Sequence, residues 1–201
     1  VVCTDGDDTL GGKDWDEALM NYVTERYAED YDEEIEDAET IASLYIDVEN
    51  WKKSLTAREE TTISLNGDNG RLREKLSREK YEDITKNLLN RTKNLLDKAL
   101  KAAESKGYPL SRIDKILLVG GSSRMPQVAK MIQRDYHMTP VLQDPDEAVA
   151  KGAAIYAANE KEFQDFVQQE ADKAGKTVEE LTEESLQAGG TLEKKFNQIA
   201  S

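Results

Sequence analysis

The stretch Ile-Leu-Leu-Val-Gly-Gly-Ser-Ser-Arg-Met-Pro, residues 116–126, decides the fold of this chain. Its four apolar residues are too few, and too β-branched at their end, for a helix, and they predict a fully buried strand. Gly120 and Gly121 follow, then two small hydroxyls, Arg124 and a proline suited to a first helical turn. A glycine loop between a strand and a helix lets backbone N–H groups approach a nucleotide, although many such loops use glycine simply to turn.

Composition limits the class of protein. The 201 residues suit one domain, or one domain with an appendage, and a mean hydropathy of −0.72 predicts a partly solvated helical surface. The net charge of −14 argues against nucleic acid or an anionic membrane as a partner. Cys3 is the only cysteine and no apolar run reaches membrane-spanning length, so we expect a reducing, cytoplasmic location. The start in Val-Val-Cys-Thr, without methionine and inside an expected strand, suggests a fragment.

Up to Lys106 the sequence alternates between helical and strand periods. The acidic run 29–39 is typical of a solvated loop, and the Asn-Gly turn at 66–67 lies between two alternating segments, which is a strong hairpin signal. The predicted elements are a strand end at 1–4, a turn-rich loop at 5–12, a helix with Asp14 as N-cap, a helix at 40–57, a hairpin of 61–65 and 71–76, and a long helix from an N-cap at Ser77 to Lys106.

Beyond the break at 107–109 the sequence predicts shorter elements. They are a strand at 116–119, a helix at 126–136, a strand at 140–142, a helix of small residues at 148–158, and three short helical stretches from Asn159 onward. The density of alanine and glycine in 148–158 predicts close packing against another element.

Four motifs stand in order along the chain, and together they carry a resemblance. They are DGDDTLGGKDWD at 5–16, ENWKKSLT at 49–56, ILLVGGSSRMPQV at 116–128 and DPDEAVAKGAA at 144–154. In combination they resemble the second half of the ATPase domain of the seventy-kilodalton heat-shock chaperone (heat shock protein 70) family, from about Val1 to Ala158.

The resemblance implies an α/β fold of the actin-like, ribonuclease H-like ATPase class. The chain would then be a fragment of one lobe with an inserted α+β subdomain and a helical tail. The implied divisions are a first core strand and loop at 1–12, a mobile inserted subdomain at 13–107, the remainder of the core lobe at 108–158 and an acidic helical tail at 159–201.

The resemblance also implies a set of nucleotide-binding residues, which meet the adenosine end of ATP or ADP from two sides. Glycines of the first motif line the cleft, the second motif holds adenine and ribose, and the last two motifs approach from the opposite side. The residues are Gly11, Gly12, Glu49, Lys52, Lys53, Thr56, Gly120, Gly121, Ser122, Arg124 and Asp146.

The chemistry of these residue types agrees with that assignment. Offsets of three, four and seven place Glu49, Lys52, Lys53 and Thr56 on one helix face, where a carboxylate can accept ribose hydroxyl protons. Arg124 can stack on adenine as a planar cation. The alternative for Glu49 and Lys53 is an ordinary surface ion pair one helical turn apart.

The chain departs from the family at several points. Lys53 stands where arginine or an apolar residue is common, and Thr56 replaces the commoner serine. Trp15 and Trp51 replace smaller residues, and the tail lacks the leucine-rich linker that couples the ATPase domain to a peptide-binding domain. The family's first phosphate loop, its catalytic lysine and glutamate, and its triple-glycine second phosphate loop are not in this sequence. We therefore expect no catalytic or metal-ligating residue here, no ATP hydrolysis by this chain alone, and Mg²⁺ only in the full-length protein.

The resulting hypothesis is the ATP/ADP-binding lobe of an ATP-dependent chaperone, acting in protein folding and the stress response. Family partners would be a nucleotide-exchange factor on 13–107, a J-domain co-chaperone, and unfolded clients bound through a domain outside this chain. The alternative is a non-catalytic interaction module derived from the same fold, and a sugar-kinase-like protein fits the last motif less well. A sheet edge exposed beside the strands at 1–4 and 116–119 also predicts self-association.

Overall fold

The computed structural model describes residues 1–199 and divides the chain into two compact units. The first unit runs from Val1 to Asp146 and the second begins at Glu147. The helices are α1 (Gly12–Tyr31), α2 (Ala38–Ala57), α3 (Arg78–Ile84), α4 (Lys86–Ser105), α5 (Pro126–Tyr136), α6 (Ala148–Ala174), α7 (Val178–Gln187) and α8 (Thr191–Ile199). The strands are β1 (Glu60–Asn66), β2 (Arg71–Ser77), β3 (Leu117–Leu118) and β4 (Val141–Leu142).

The core of the first unit forms where α1 and α2 pack with the β1–β2 hairpin. Leu19, Val23 and Tyr27 recur every fourth residue on α1 and are fully buried. They meet apolar residues of α2 and of the inward face of the hairpin, which are Leu44, Val48, Leu55, Ile63, Leu65, Leu72 and Leu76. The periodicities of 3.6 and 2 therefore predicted these four elements correctly.

The hairpin has the register that its Asn-Gly turn predicts. β1 and β2 pair antiparallel, from Glu60 opposite Ser77 to Asn66 opposite Arg71. A Cβ atom at Gly67 would lie 2.2 Å from the hydroxyl oxygen of Tyr27, so only glycine fits where the turn touches α1. Glu33, from the acidic run, accepts hydrogen bonds from the Asp68 and Asn69 amides at 3.1 and 2.9 Å, so this carboxylate holds the turn.

The predicted strand at 1–4 is wrong, because these residues have no regular secondary structure. They lie along α4 instead. The thiol of Cys3 donates to the carbonyl of Ala99 at 3.4 Å, and the ammonium of Lys106 donates to the carbonyl of Val2 at 2.6 Å.

The strand predicted at 116–119 exists but is short and half exposed. β3 pairs parallel with β4, with Leu117 opposite Val141 and Leu118 opposite Leu142. Leu117 is 53% exposed, so the expectation of a fully buried strand is wrong. Alternate side chains of a strand point to opposite faces, and only Ile116 and Leu118 face the core.

Two predictions about helix ends also need correction. Asp14 is the third residue of α1 rather than its N-cap; its carboxylate accepts a hydrogen bond from the N-cap amide of Gly11 at 2.6 Å. The helix that Ser77 caps ends at Ile84, and α4 begins after Thr85. The buried Thr85 hydroxyl donates to the Tyr81 carbonyl at 2.8 Å, a bond that competes with the helical backbone.

The described part of the second unit, up to residue 199, is a group of three helices, α6, α7 and α8. Its buried side chains are Val167, Ala171, Ser185 and Leu192, and the Ser185 hydroxyl accepts from the Leu192 amide at 2.9 Å. Residues 149–158 are all exposed and Ala148 is only half-buried, so the close packing predicted for this small-residue stretch is wrong. No described helix of the chain is long and apolar enough to cross a membrane.

Candidate functional site

A cleft of about 570 Å³ lies in the first unit and brings together residues from all four motifs. Nine of the eleven predicted site residues line it. They are Gly12, Glu49, Lys52, Lys53, Thr56, Gly121, Ser122, Arg124 and Asp146. Lys13, Asp16 and Met125 also line the cleft and were not predicted, whereas Gly11 and Gly120 are adjacent in sequence to lining residues.

The N-terminus of α1 forms one wall of the cleft and approaches the glycine turn of the other wall. A Cβ atom at Gly12 would lie 2.7 Å from the Ser122 hydroxyl oxygen and 3.4 Å from the Lys52 ammonium nitrogen. Glycine at this position therefore permits the first and third motifs to come close. The adjacent Gly11 has no such neighbour within 4 Å.

The glycine turn itself needs one unusual backbone conformation. Gly120 has a φ of +82°, which L side chains rarely adopt. A single 3₁₀ turn follows at Gly121–Arg124, and the Ser123 hydroxyl donates to the Gly120 carbonyl at 2.6 Å. Met125 is buried, and α5 begins at Pro126 as the sequence predicts.

Lys52 is held by a carboxylate that the sequence did not reveal as a site residue. Its ammonium lies 2.7 Å from Asp16 Oδ2 and donates to the Gly12 carbonyl at 3.1 Å. The Lys52 and Asp16 side chains are only 13% and 7% exposed. A signal was present, because helical spacing places Asp16 on the apolar face of Leu19 and Val23, where a carboxylate needs a cation.

Burial controls the ionisation of Asp16. Burial raises the pKa of its carboxyl, and this effect outweighs the lowering by Lys52. Asp16 Oδ1 and the Tyr81 hydroxyl are both buried without a hydrogen-bond partner. Burial, with a smaller contribution from the Asp16 charge, also raises the pKa of Tyr81.

Glu49 and Lys53 form the ion pair that was the alternative to a nucleotide role. The Lys53 ammonium lies 2.9 Å from Glu49 Oε1, and both side chains are largely exposed on the cleft wall. Hydrogen bonding to Lys53 lowers the pKa of Glu49, so its carboxylate is ionised at neutral pH. The Thr56 hydroxyl donates to the Lys53 carbonyl at 2.7 Å.

Arg124 and Asp146 form an ion pair across the opposite wall of the cleft. Both side chains are substantially exposed, so water competes for the guanidinium and the carboxylate. This pair joins the third and fourth motifs. In residues 1–199 no group of three or more histidine, cysteine, aspartate or glutamate side chains is placed to hold a metal ion.

The geometry defines a class: an α/β domain in which glycine turns and charged side chains from separate motifs meet in one cleft. Comparison with known proteins identifies the family. A model of the Hsp70 protein family matches residues 1–184. The chain is 36% identical over 163 residues to "Chaperone protein DnaK" of Halobacterium salinarum, covering 77% of this chain and 25% of the relative. It is 37% identical over 163 residues to "Chaperone protein DnaK" of Mesomycoplasma hyopneumoniae strain 7448, covering 77% of this chain and 27% of the relative.

The chain belongs to the Hsp70 protein family, whose ATPase domain has an actin-like fold. It spans about a quarter of the length of the curated relatives that it matches. The family match extends beyond Ala158, where the motif resemblance ended, through α6 and into α7.

Proposed function

We propose that this chain is an ATP- and ADP-binding lobe of an ATP-dependent chaperone and that its cleft binds the adenosine end of the nucleotide. The observation that carries the proposal is the convergence of nine motif residues, from four separated segments, on one cleft. Its volume of about 570 Å³ is in the range of small-molecule sites.

The chemistry around the cleft suits a nucleoside. The ionised Glu49 carboxylate can accept hydrogen bonds from the ribose hydroxyls, and the Lys52 ammonium has donor capacity beyond its bonds to Asp16 and Gly12. Arg124 can stack on adenine once it exchanges its contact with Asp146 for the base. Because that pair is exposed, the exchange costs little.

The residues of the cleft fit a nucleoside better than a metal ion. Glu49 can accept hydrogen bonds from hydroxyl groups, Arg124 can stack on a base, and the glycine at position 12 lets the two walls come close together. In the full-length protein, Mg²⁺ would neutralise the phosphates of ATP. We expect these 201 residues alone to bind nucleotide without hydrolysing it, and sustained phosphate release from purified chain with Mg²⁺ and ATP would contradict this.

Calorimetric titration of ATP, ADP and adenosine into the chain tests the proposal. We expect saturable binding of all three, and binding of adenosine is the decisive result because the contacts lie at the nucleoside. Glu49→Gln should weaken binding by about tenfold, as expected for loss of a charged hydrogen-bond acceptor. Glu39→Gln, at the start of the same helix and outside the cleft, is the charge-matched control. Absence of adenosine binding to the folded chain would remove the proposal.

The subdomain assignment and the partners remain part of the same proposal. Residues 13–107 would form the mobile inserted subdomain on which a nucleotide-exchange factor acts, between core segments 1–12 and 108–158, with 159–201 as a tail. A J-domain co-chaperone and unfolded clients would act on the full-length protein in the cytoplasm. The alternative, a non-catalytic interaction module, predicts partner binding that is indifferent to nucleotide.

Self-association is a second proposed property of the first unit. Leu117, Val141 and Leu142 are each more than two-fifths exposed on the β3–β4 pair, and exposed strands recruit further strands. Sedimentation velocity over a hundredfold range of concentration should show a dimer that Leu117→Lys abolishes. A monomer at every concentration would contradict self-association and leave nucleotide binding untouched.

A further inference from the structure

The second unit contains a cavity that the nucleotide proposal does not use. It has a volume of about 270 Å³ and lies between α6 and α8. Its lining consists of three aromatic residues, two carboxylates and two amides, which are Tyr156, Phe163, Phe196, Glu160, Glu193, Asn159 and Asn197. Lysine and arginine are absent from the described residues that line it.

Aromatic packing between α6 and α8 builds one wall of this cavity. The Phe196 ring of α8 lies against two rings of α6, with centroid distances of 5.4 Å to Phe163 and 5.5 Å to Phe166. The three rings are partly buried, so the wall is preformed. Tyr156, one turn before Glu160 in α6, is 71% exposed, so its ring is accessible to an incoming group.

A cation already lies near the third ring of this cluster, Phe166, which does not line the cavity. The Lys195 ammonium lies 5.9 Å from the centroid of the Phe166 ring and is paired with Glu170. At that position an aromatic ring, a carboxylate and a cation occur together, namely Phe166, Glu170 and Lys195. The described lining of the cavity also contains aromatic rings and carboxylates, but it contains no lysine or arginine.

The two carboxylates of the cavity are available. Among the described residues Glu193 has no ion-pair partner, and Glu160 accepts only a 3.4 Å hydrogen bond from the Gln164 amide. A positive charge at the face of an aromatic ring and beside two such carboxylates is attracted by both. The chain as a whole carries a net charge of −14, which adds a long-range attraction for basic partners.

We propose that this cavity is a docking site for a lysine or arginine side chain of a partner protein. The cationic head lies against the rings of Tyr156 and Phe163 and pairs with Glu160 and Glu193, while the aliphatic stem covers the apolar wall. All the residues that line the site belong to the second unit.

Fluorine NMR provides a direct test, because Phe163, Phe166 and Phe196 are the three phenylalanines of the chain. With 4-fluorophenylalanine at these positions, every signal reports on the second unit. The probe is a pentapeptide with a central arginine, and its control is the same peptide with citrulline, which keeps the shape and removes the charge. We expect saturable shifts of the Phe163 and Phe196 signals, a smaller shift of Phe166, and at least about tenfold weaker binding of the citrulline peptide.

Variants distinguish binding in this cavity from a general electrostatic attraction of the peptide to a negatively charged protein. Glu193→Gln and Tyr156→Leu should each weaken arginine-peptide binding by about threefold or more. Glu183→Gln, which removes one charge from α7 outside the cavity, should leave it unchanged. Equal binding of the citrulline peptide, or equal weakening by Glu183→Gln, would overturn the proposal. The outcome does not depend on whether the first unit binds nucleotide.

Discussion

The helix–hairpin core, formed by α1, α2, β1 and β2, contributes the cleft residues of α1 and α2, and the β3–β4 pair leads into the glycine turn on the other wall of the cleft. The two regions differ in how they are stabilised. In the core, apolar residues from every element meet and are almost fully buried. In the β3–β4 pair, two-residue strands leave Leu117 and Leu142 about half exposed. A site between such regions has one wall fixed by its own packing and one wall that a small energetic change can move.

The largest expected effect is a difference in stability loss between a core variant and a variant of the β3–β4 pair. Leu19→Ala empties a fully buried position of the core and should lower the free energy of unfolding by about 3–5 kcal/mol. Leu117→Ala, the same chemical change at a 53% exposed position, should cost less than about 1 kcal/mol. Urea unfolding followed by the fluorescence of Trp15 and Trp51 measures both. Equal losses would show that the β3–β4 pair is as tightly packed as the core.

Asp16 and Lys52 form a largely buried ion pair in the cleft wall carried by α1 and α2. The free energy of unfolding should respond unequally to the loss of its two members. Lys52→Met leaves the Asp16 carboxylate buried without a cation, which should cost about 3 kcal/mol at pH 7. Asp16→Asn keeps an oxygen acceptor for the Lys52 ammonium and removes a charge whose burial is unfavourable. It should therefore lower the free energy of unfolding by less than Lys52→Met does. The double variant Asp16→Asn/Lys52→Met should recover part of the stability lost in Lys52→Met.

The pH dependence gives this prediction a sign. The folded pKa of Asp16 lies above its unfolded value, so the folded state holds its proton more tightly. Stability contributed by this group is therefore complete below the unfolded pKa and declines as pH rises through the folded pKa. The deficit of Lys52→Met should shrink as pH is lowered from 7 toward 4, and the deficit of Leu19→Ala should not. A pH-independent deficit for Lys52→Met would contradict the buried-charge explanation.

The sequence predicted the core well because its signals are local. The stripe of Leu19, Val23 and Tyr27 and the alternation around the Asn-Gly turn each specify an element within about twenty residues, and these elements complete one another's core. The same reasoning failed at 116–119. Four consecutive apolar residues predict burial on both faces, but a two-stranded pair covers one face only, so the side chains of Leu117 and Val119 stay exposed.

The sequence motifs predicted which residues line the cleft, but they did not predict which of those residues contact one another. Residue types and the family resemblance identified nine lining residues, but the contacts between motifs depend on tertiary structure. The pairing of Asp16 with Lys52 crosses 36 positions and that of Arg124 with Asp146 crosses 22, distances at which no periodicity selects a partner. The independent signal for Asp16 was its place on an apolar helix face.

A third prediction tests the point where the two walls touch. Gly12→Ala places a methyl group 2.7 Å from the Ser122 hydroxyl, so the glycine turn must shift away from α1. Overpacking of this kind should weaken nucleotide binding by about tenfold, measured by calorimetry. Gly6→Ala, at a glycine outside the cleft where the added methyl group meets nothing within 4 Å, is the matched control. If the clash with Ser122 causes the loss, adding Ser122→Gly to Gly12→Ala should restore much of the affinity. If the affinity is not restored, the loss comes from a change within α1 and not from the clash.

The smallest expected effect concerns the loop that leads into α1, which contains Asp7 and Thr9. Hydrogen bonds from the Thr9 hydroxyl and amide, at 2.6 and 3.0 Å, together with Arg91 of α4 at 2.5 Å, lower the pKa of Asp7 to about 2. A folded pKa below the unfolded value means that the contribution of Asp7 to stability is present above about pH 4 and is lost as pH falls toward 2. The amide resonance of Thr9, followed by NMR, should titrate with a midpoint near 2, and in Asp7→Asn this transition should disappear. A midpoint at the ordinary aspartate value would show that the loop is not held against α4, and the start of α1 would then be as weakly fixed as the β3–β4 pair.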